Sequence, residues 1–411
     1  MESLRTKCCI VGGGPAGMML GYLLARAGVQ VVVLEKHADF FRDFRGDTVH
    51  PSTLQVMHEL GLLEDFLKVP HQKLTSVTAR VGDFDFRAAD FSHLPTRCKF
   101  VALMPQWDFL NFLSGRAKRF PAFQLRMQCD AVNLLRDDEK VVGVEARSSD
   151  GPVYIQSDLV VGCDGRHATT RLAAHLDVQE FGVPIDVLWF RISRRAGDPE
   201  QVAGNINYGK ALIVINRGDY SQAGLIIPKG SFEQIKSAGL GAFQETIRHI
   251  APYLGDRAGE LENWDQIKLL TVQINRLREW HRPGLLCIGD AAHAMSPVGG
   301  VGINLAIQDA VAAANLLALP LLRGTIREQD LRQVQARRSY PTRMTQAVQV
   351  FMHRRFIRPA LGRQAPIRRL PLPLKLLRRF PWLRRIPARI VGLGFRPEHI
   401  RTPDSPAKAG K

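Results

Sequence analysis

The stretch from Lys7 to Lys36, KCCIVGGGPAGMMLGYLLARAGVQVVVLEK, constrains the fold of this chain more than any other. It reads as strand, tight turn, helix, strand. Cys8–Val11 is a short apolar run suited to a buried strand. Gly12 to Gly17 then matches G-x-G-x-x-G. Met18–Ala27 is apolar, with small residues at Gly21 and Ala25, which suits a helix packed closely on a sheet. Gly28 stops it, and Val31–Leu34 forms a second buried strand ending at Glu35. Gly12 allows the turn, Gly14 lets backbone approach a pyrophosphate, and Gly17 lets the helix sit close to the strand. The helix N-terminus offers free N–H groups and a positive dipole end to phosphate oxygens. Glu35 lies about 20 residues past the glycines, where an acid accepts ribose hydroxyls. The motif alone is compatible with FAD and with NAD.

Two further apolar runs end on an acid: Leu159–Gly162, before Cys163-Asp164, and Leu285–Ile288, before Gly289-Asp290. Between them the pattern changes. Residues 74–91 alternate like a hairpin, 123–147 like a meander, and 185–228 are strand-rich. Leu269–Leu277 reads as one strand. Helical spacing marks 52–63, with Ser52 as a candidate N-cap, and also 107–118, 231–250 and 301–322. The predicted fold class is α/β: a discontinuous doubly wound domain, an inserted and mostly antiparallel β-sheet domain, and a basic C-terminal tail.

Gly289-Asp290-Ala291-Ala292-His293-Ala294-Met295-Ser296-Pro297-Val298-Gly299-Gly300-Val301-Gly302-Ile303-Asn304 is the second motif. A strand delivers Asp290 to the carboxyl edge of the sheet, where a carboxylate can accept polyol hydroxyls. The Gly-rich loop brings backbone near a flat ligand. The helix starting near Gly302 points its positive end back at that ligand. The third motif is Asp164-Gly165-Arg166-His167. His293 and His50 are weak candidates for catalysis, and Arg166 and His167 read as surface residues.

Together the three motifs resemble the flavoprotein aromatic hydroxylases of the p-hydroxybenzoate hydroxylase type, and within them the branch of ubiquinone-biosynthetic hydroxylases. The resemblance spans residues 5–350 and implies FAD as cofactor, with NADH or NADPH as a transient reductant. By it, Gly12, Gly14, Ala16 and Gly17 hold the diphosphate, and Glu35 takes the ribose with Lys36 beside it. Arg45 matches an arginine of the loop after the second strand, and Gln106 a position near the ribityl and phosphate. Asp290 matches the acid of the ribityl or phosphate region. Gly302, Ile303 and Asn304 match the helix start facing the flavin pyrimidine. Asp164 belongs to a motif tied to FAD and NAD(P)H, usually D-G-x-x-S-x-x-R; here Ala168 stands at the Ser, while Arg171 remains. The implied domains are FAD-binding pieces 1–73, 101–180 and 276–350, a substrate hairpin 74–100, a substrate domain 181–275, and a basic Pro/Arg-rich segment 351–411. The implied reaction is hydroxylation of a phenolic, quinone-like or other apolar ring by dioxygen through a flavin hydroperoxide. Saturating or oxidising a lipid without oxygen insertion stays open beside it, as does a non-catalytic membrane-docked flavoprotein. A halogenase lacks support, because the W-x-W-x-I-P stretch is absent.

Composition narrows the partners. Six cysteines show no C-x-x-C pair, so buried thiols, a cytoplasmic setting and no metal site are expected. No apolar run approaches the roughly 20 residues of a membrane span. Of the formal charge of +17, residues 353–411 supply most, with 16 Lys or Arg against 2 Asp or Glu. Prolines break that tail into short amphipathic pieces, 374–380 and 382–386. Basic charge beside Trp and Leu suits the face of an anionic membrane, so peripheral contact through 354–401 is one expectation. A collar packed on the body and an acidic partner stay open; nucleic acid lacks any recognition motif.

Overall fold

In the computed structural model, residues 2–41, 48–198, 203–361, 367 and 370–404 are described. The strands flagged by their terminal acids are neighbours. Phe123–Arg126, Val31–Leu34, Glu2–Val11, Gly151–Gly162 and Leu285–Cys287 lie side by side, all parallel. Val11 pairs with Leu34 on one side and Gly162 on the other, and Gly162 pairs with Cys287. Four strands therefore end level at one carboxyl edge, which is where open α/β sheets bind ligands. Phe123–Arg126 is the fifth parallel strand and not part of the meander, which is Asp130–Asp137, Lys140–Ser148 and Gly151–Gly162, its first hairpin turning at Asp138 (φ 52°).

The helices Pro15–Arg26 and Gly302–Arg323 pack against each other, and the Glu328–Met352 helix packs on the second. By length and composition Gly302–Arg323 is apolar enough to cross a membrane (mean hydropathy 1.7), which the reading of the sequence missed. It is a core element: 72% of its most apolar stretch is buried against the sheet and its neighbours. The helix predicted to begin at Ser52 begins at Pro51, which supplies the fixed φ a first helical position favours. All six cysteines are free, with Cys8 and Cys287 fully buried and Cys163 half-buried.

The second sheet has seven strands, ordered Lys268–Leu270, Ile185–Ser193, Tyr220–Pro228, Lys210–Asn216, Ala203–Asn207, Ser76–Val81 and Phe84–Asp90. All pairs are antiparallel except Ala203–Asn207 with Ser76–Val81. The hairpin near 74–91 and the strand-rich middle are thus one sheet. The expected strand 269–277 is two: Lys268–Leu270 edges this sheet, while Ile274–Leu277 pairs with Val178–Phe181 and His293–Ala294. One face of the large sheet carries Leu188, Phe190, Leu212 and Leu225 in a core with Phe243 and Ile247 of the Leu240–Ile250 helix. The opposite face carries Val187, Trp189, Ala211 and Ile226, joined by Ile357 and Leu361 from the chain after Met352.

Candidate active site

Local sterics explain the glycine turn. Gly12 has φ +104°, and a Cβ on it would meet the Cys163 carbonyl oxygen at 2.4 Å. A Cβ on Gly17 would lie 2.0 Å from the Gly12 carbonyl oxygen. Gly14 differs: its φ is an ordinary −73°, and a Cβ there would have no protein atom within 4 Å. Two glycines are demanded by the fold, and the third leaves an open approach to the helix N-terminus. That is the cradle an extended dinucleotide needs.

Glu35 is nearly buried and accepts N–H bonds from Gly13 (Oε2, 3.0 Å) and His37 (Oε1, 3.1 Å). The carboxylate is thereby oriented at the end of its strand, where a carboxylate can accept ribose hydroxyls. Lys36 beside it is exposed. Gln106 is the half-buried first residue of the Gln106–Ala117 helix. Arg45 lies outside the described residues.

Gly289 turns with φ +60°, and a Cβ on it would sit 3.1 Å from the Ala16 Cβ and 3.2 Å from the Ala306 Cβ. Turns 270 residues apart in the chain are therefore in direct contact. Ala16 is 5% exposed, so its methyl is packed within the fold. From Leu34 to Cys287 the edge spans three strand spacings of about 4.8 Å, roughly 14 Å, a distance that one extended dinucleotide bridges.

Below the Gly289–Asp290 turn lies a buried charge network. Asp309, fully buried, accepts from the Gly289 N–H (3.2 Å), His293 Nε2 (2.6 Å) and Arg338 Nε (2.8 Å). Burial works against its charge, but His293 and Arg338 outweigh that and hold its carboxyl below the usual range. Arg338 also donates to Glu398 Oε1 at 3.3 Å. His293 packs on Trp280 at 4.9 Å and serves as a strut rather than a reacting group.

Asp164 accepts from the Thr170 N–H (2.9 Å) and hydroxyl (2.7 Å), so it caps the Thr169–Ala173 helix. Burial raises its carboxyl against those bonds. Ala168, at the position where the resembling motif has Ser, is fully buried and makes no side-chain cap bond; Asp164 takes the Thr170 N–H and hydroxyl instead. Arg171 donates to the Ala291 carbonyl at 3.4 Å and to the Arg166 carbonyl, tying the second and third motifs together.

Arg166 is not a bystander on the surface. Its Nε donates to Asp290 Oδ2 at 3.1 Å, and its terminal nitrogens reach the Thr271 and Met295 carbonyls at 3.4 Å. The pairing of Gly162 with Cys287 brings the two turns that follow these strands to neighbouring positions on the sheet edge. Arg166→Ala is expected to raise the cofactor dissociation constant about tenfold, roughly 1.4 kcal/mol. Apoprotein stability should move by under about 1 kcal/mol, because the pair is partly exposed. Fluorescence titration checks it; an unchanged affinity would return Arg166 to the surface.

The helix start is fixed by Asn304. Its Oδ1 accepts from the His50 N–H (2.8 Å) and the Thr53 hydroxyl (2.7 Å), and its Nδ2 donates to the Thr48 (3.1 Å) and Gly300 (3.3 Å) carbonyls. The side chain is spent on the loop, so Gly302, Ile303 and Asn304 offer backbone N–H groups of the first turn. Gln349 grips the loop from the other side, accepting from the Ser296 N–H (3.0 Å) and donating to the Ser296 (2.9 Å) and Val298 (3.0 Å) carbonyls.

His50 donates from Nδ1 to the Val391 carbonyl at 2.7 Å. Burial pushes its pKa down to about 4 from 6.5. Its folded pKa is depressed, so the unfolded chain binds the proton first. Stability is then full above pH 6.5 and declines as pH falls toward 4, by about 3 kcal/mol at most. His50→Asn keeps a donor and should flatten that slope in urea melts between those two values; an unaltered slope would discard the assignment.

Residues 5–349 match the family model described as FAD binding domain. The chain is 30% identical over 394 residues to 6-methylpretetramide 4-monooxygenase of Streptomyces rimosus, covering 95% of this chain and 93% of that one. The OxyS anhydrotetracycline hydroxylase structure from Streptomyces rimosus superposes with TM-score 0.72 at 24% identity, covering 96% of this chain and 77% of that one. PqsL of Pseudomonas aeruginosa, described as a probable FAD-dependent monooxygenase, superposes with TM-score 0.74 at 20% identity, covering 87% and 98%.

Proposed function

The chain belongs to the FAD-binding-domain family of flavoprotein monooxygenases, and from that premise we propose that it hydroxylates a phenolic, quinone-like or other apolar ring, using NADH or NADPH and dioxygen. The observation that carries this reading is the contact between Ala16 and Gly289, which puts both cofactor turns at one sheet edge. When bound, FAD takes electrons from the nicotinamide and activates dioxygen.

The chain's own groups do the rest. Backbone at Gly12, Gly14, Ala16 and Gly17 holds the diphosphate, and Glu35 the adenosine ribose, with Lys36 and Gln106 flanking; Arg45 is assigned to the same cofactor by the resemblance alone. Asp290, oriented by Arg166, accepts the ribityl hydroxyls. Asp164 keeps the middle turn in shape. The first-turn N–H groups of Gly302, Ile303 and Asn304, at the positive end of a 22-residue helix, stabilise negative charge on the flavin pyrimidine. The face of the large sheet bearing Trp189, whose buried indole N–H has no partner among the described residues, is the wall we assign to the ring substrate. Residues 1–73, 101–180 and 276–350 thus form the cofactor body and 74–100 and 181–275 the substrate part. With no second G-x-G-x-x-G, the nicotinamide nucleotide binds transiently at the surface. The C-terminal segment lines the substrate side with its inner face and leaves its outer face for peripheral contact at a membrane.

The test is a spectrum of purified protein titrated with NADH or NADPH across a panel of phenols and quinols, headed by 6-methylpretetramide and anhydrotetracycline, the compounds in the relatives' names. One substrate should accelerate flavin reduction and gain one atom from labelled dioxygen. Product formed without label would replace oxygen insertion by simple dehydrogenation.

A further inference from the structure

The chain has 56 Lys or Arg and 39 Asp or Glu, and Leu331–Pro397 contains seventeen of the bases and none of the acids. Outside that stretch the charges cancel. The stretch is also two-sided. Its inner side is docked on the protein. Ile367 and Leu370, with Leu374, join the cluster of Val81 and Phe86, and the Ile367 N–H donates to Asn207 at 3.2 Å. Ala388 and Leu393 join the cluster of Ala89, Phe91 and Leu103. These residues pack on one face of the seven-stranded sheet and its flank.

The outer side is apolar and is left uncovered among the described residues. Leu372 (69% exposed), Leu376 (41%), Phe380 (43%), Trp382 (60%) and Ile386 (54%) lie within 15 residues. They account for one third of the exposed large hydrophobic side chains among the described residues. Lys375, Arg379, Arg385 and Arg389 are exposed among them, with no ion pair among the described residues. Two eight-residue helices, Leu372–Arg379 and Arg385–Gly392, present this mixture with a short turn between them. Neither is long enough to cross a bilayer, and both lie flat on the protein.

We propose that the surface formed by Leu372–Arg389 docks on an anionic lipid bilayer, with Trp382, Phe380, Leu376 and Ile386 entering the acyl boundary and the surrounding bases meeting lipid phosphates. Charge selects this occupant. A second copy of the chain would set one acid-free patch against another, and like charges repel. A neutral apolar partner would leave the four bases unmatched. The same segment's inner side reaches Ile357 and Leu361, beside Trp189, so docking holds the substrate face close to the phase where an apolar ring dissolves. That last link rests on the monooxygenase reading; the docking itself does not.

The experiment is co-sedimentation of the full-length holoprotein with vesicles of phosphatidylcholine alone or mixed with phosphatidylglycerol. Binding should require the anionic lipid, weaken with salt, and shift Trp emission to the blue. Trp382→Ala with Phe380→Ala should weaken it at least about tenfold, because each apolar side chain removed from the boundary contributes a fold-change of that order. Arg379→Gln and Arg385→Gln should each weaken it about fivefold and lessen the salt dependence. Each variant should keep its FAD content and melting temperature, since these side chains point outward. No sedimentation, equal sedimentation with neutral vesicles, or a dimer that the Trp382 and Phe380 variants dissolve would overturn the proposal. Because sedimentation needs no turnover, its failure leaves the hydroxylase reading intact, and failed turnover leaves the docking result intact.

Discussion

Gly14→Val is expected to give a folded, colourless protein. The position has φ −73° and ψ −174°, which valine adopts without strain, and a Cβ there touches no protein atom within 4 Å. Apoprotein melting should therefore match the parent. The branched side chain would occupy the open approach to the first N–H groups of Pro15–Arg26, and FAD affinity should fall at least about 100-fold, roughly 2.7 kcal/mol. Gly17→Ala is the contrasting variant. Its new carbon would lie 2.0 Å from the Gly12 carbonyl oxygen, so turn and helix must separate and the fold itself suffers. Melting and flavin-fluorescence titration read the two effects separately. If Gly14→Val bound FAD within threefold of the parent, the open side of the turn would not be the ligand side.

Asp309→Ala should be the most damaging substitution outside the glycine turns. It strips the carboxylate that bonds His293, leaves the Arg338 Nε buried without its acceptor, and takes away the partner of the Gly289 N–H. Breaking a buried pair by removing one side costs about 3–5 kcal/mol. Because Gly289 precedes Asp290, FAD affinity should fall as well, although Asp309 lies beneath the cofactor turn. Replacing Asp309 and Arg338 together by apolar residues should recover part of the stability and little of the affinity. The pH dependence has a definite sign. The folded carboxyl is held below 3.8, so its contribution is complete above that pH and is lost as acid carries the solution through the folded value. Urea unfolding of the single variant with a loss under about 1 kcal/mol would show that the network is dispensable.

The parts legible in the sequence were those where backbone geometry dictates residue type. Gly12 and Gly17 are glycines because nothing else fits, and Glu35, Asp164 and Asp290 were visible as acids ending apolar runs. The parallel sheet followed from those runs. What escaped depended on partners distant in the chain. Arg166 meets Asp290, 124 residues away in the chain, only because the strands before them are neighbours. Asp309 sits in an apolar helix, where its three partners come from separate elements. Phe123–Arg126 had no pattern to separate it from the hairpin that follows, and Leu269–Leu277 hid a change of sheet in an unbroken run. The basic segment read as a tail because its inward Ile357, Ile367, Leu370 and Leu393 alternate with bases in a pattern that fixes no period.

The bonds from His50 to Val391 and from Arg338 to Glu398 carry a consequence for biosynthesis. A ribosome releases the glycine turns well before these contacts, so the bonds to Val391 and Glu398 form only after the chain through Glu398 has emerged. A polypeptide ended at residue 349, where the family match stops, would keep each recognisable motif and lack the clasp that steadies the start of the Gly302 helix and the floor beneath Asp290. Motif content and maturation competence are therefore separable in this protein, and flavin loading during synthesis should lag until the C-terminal strap has closed.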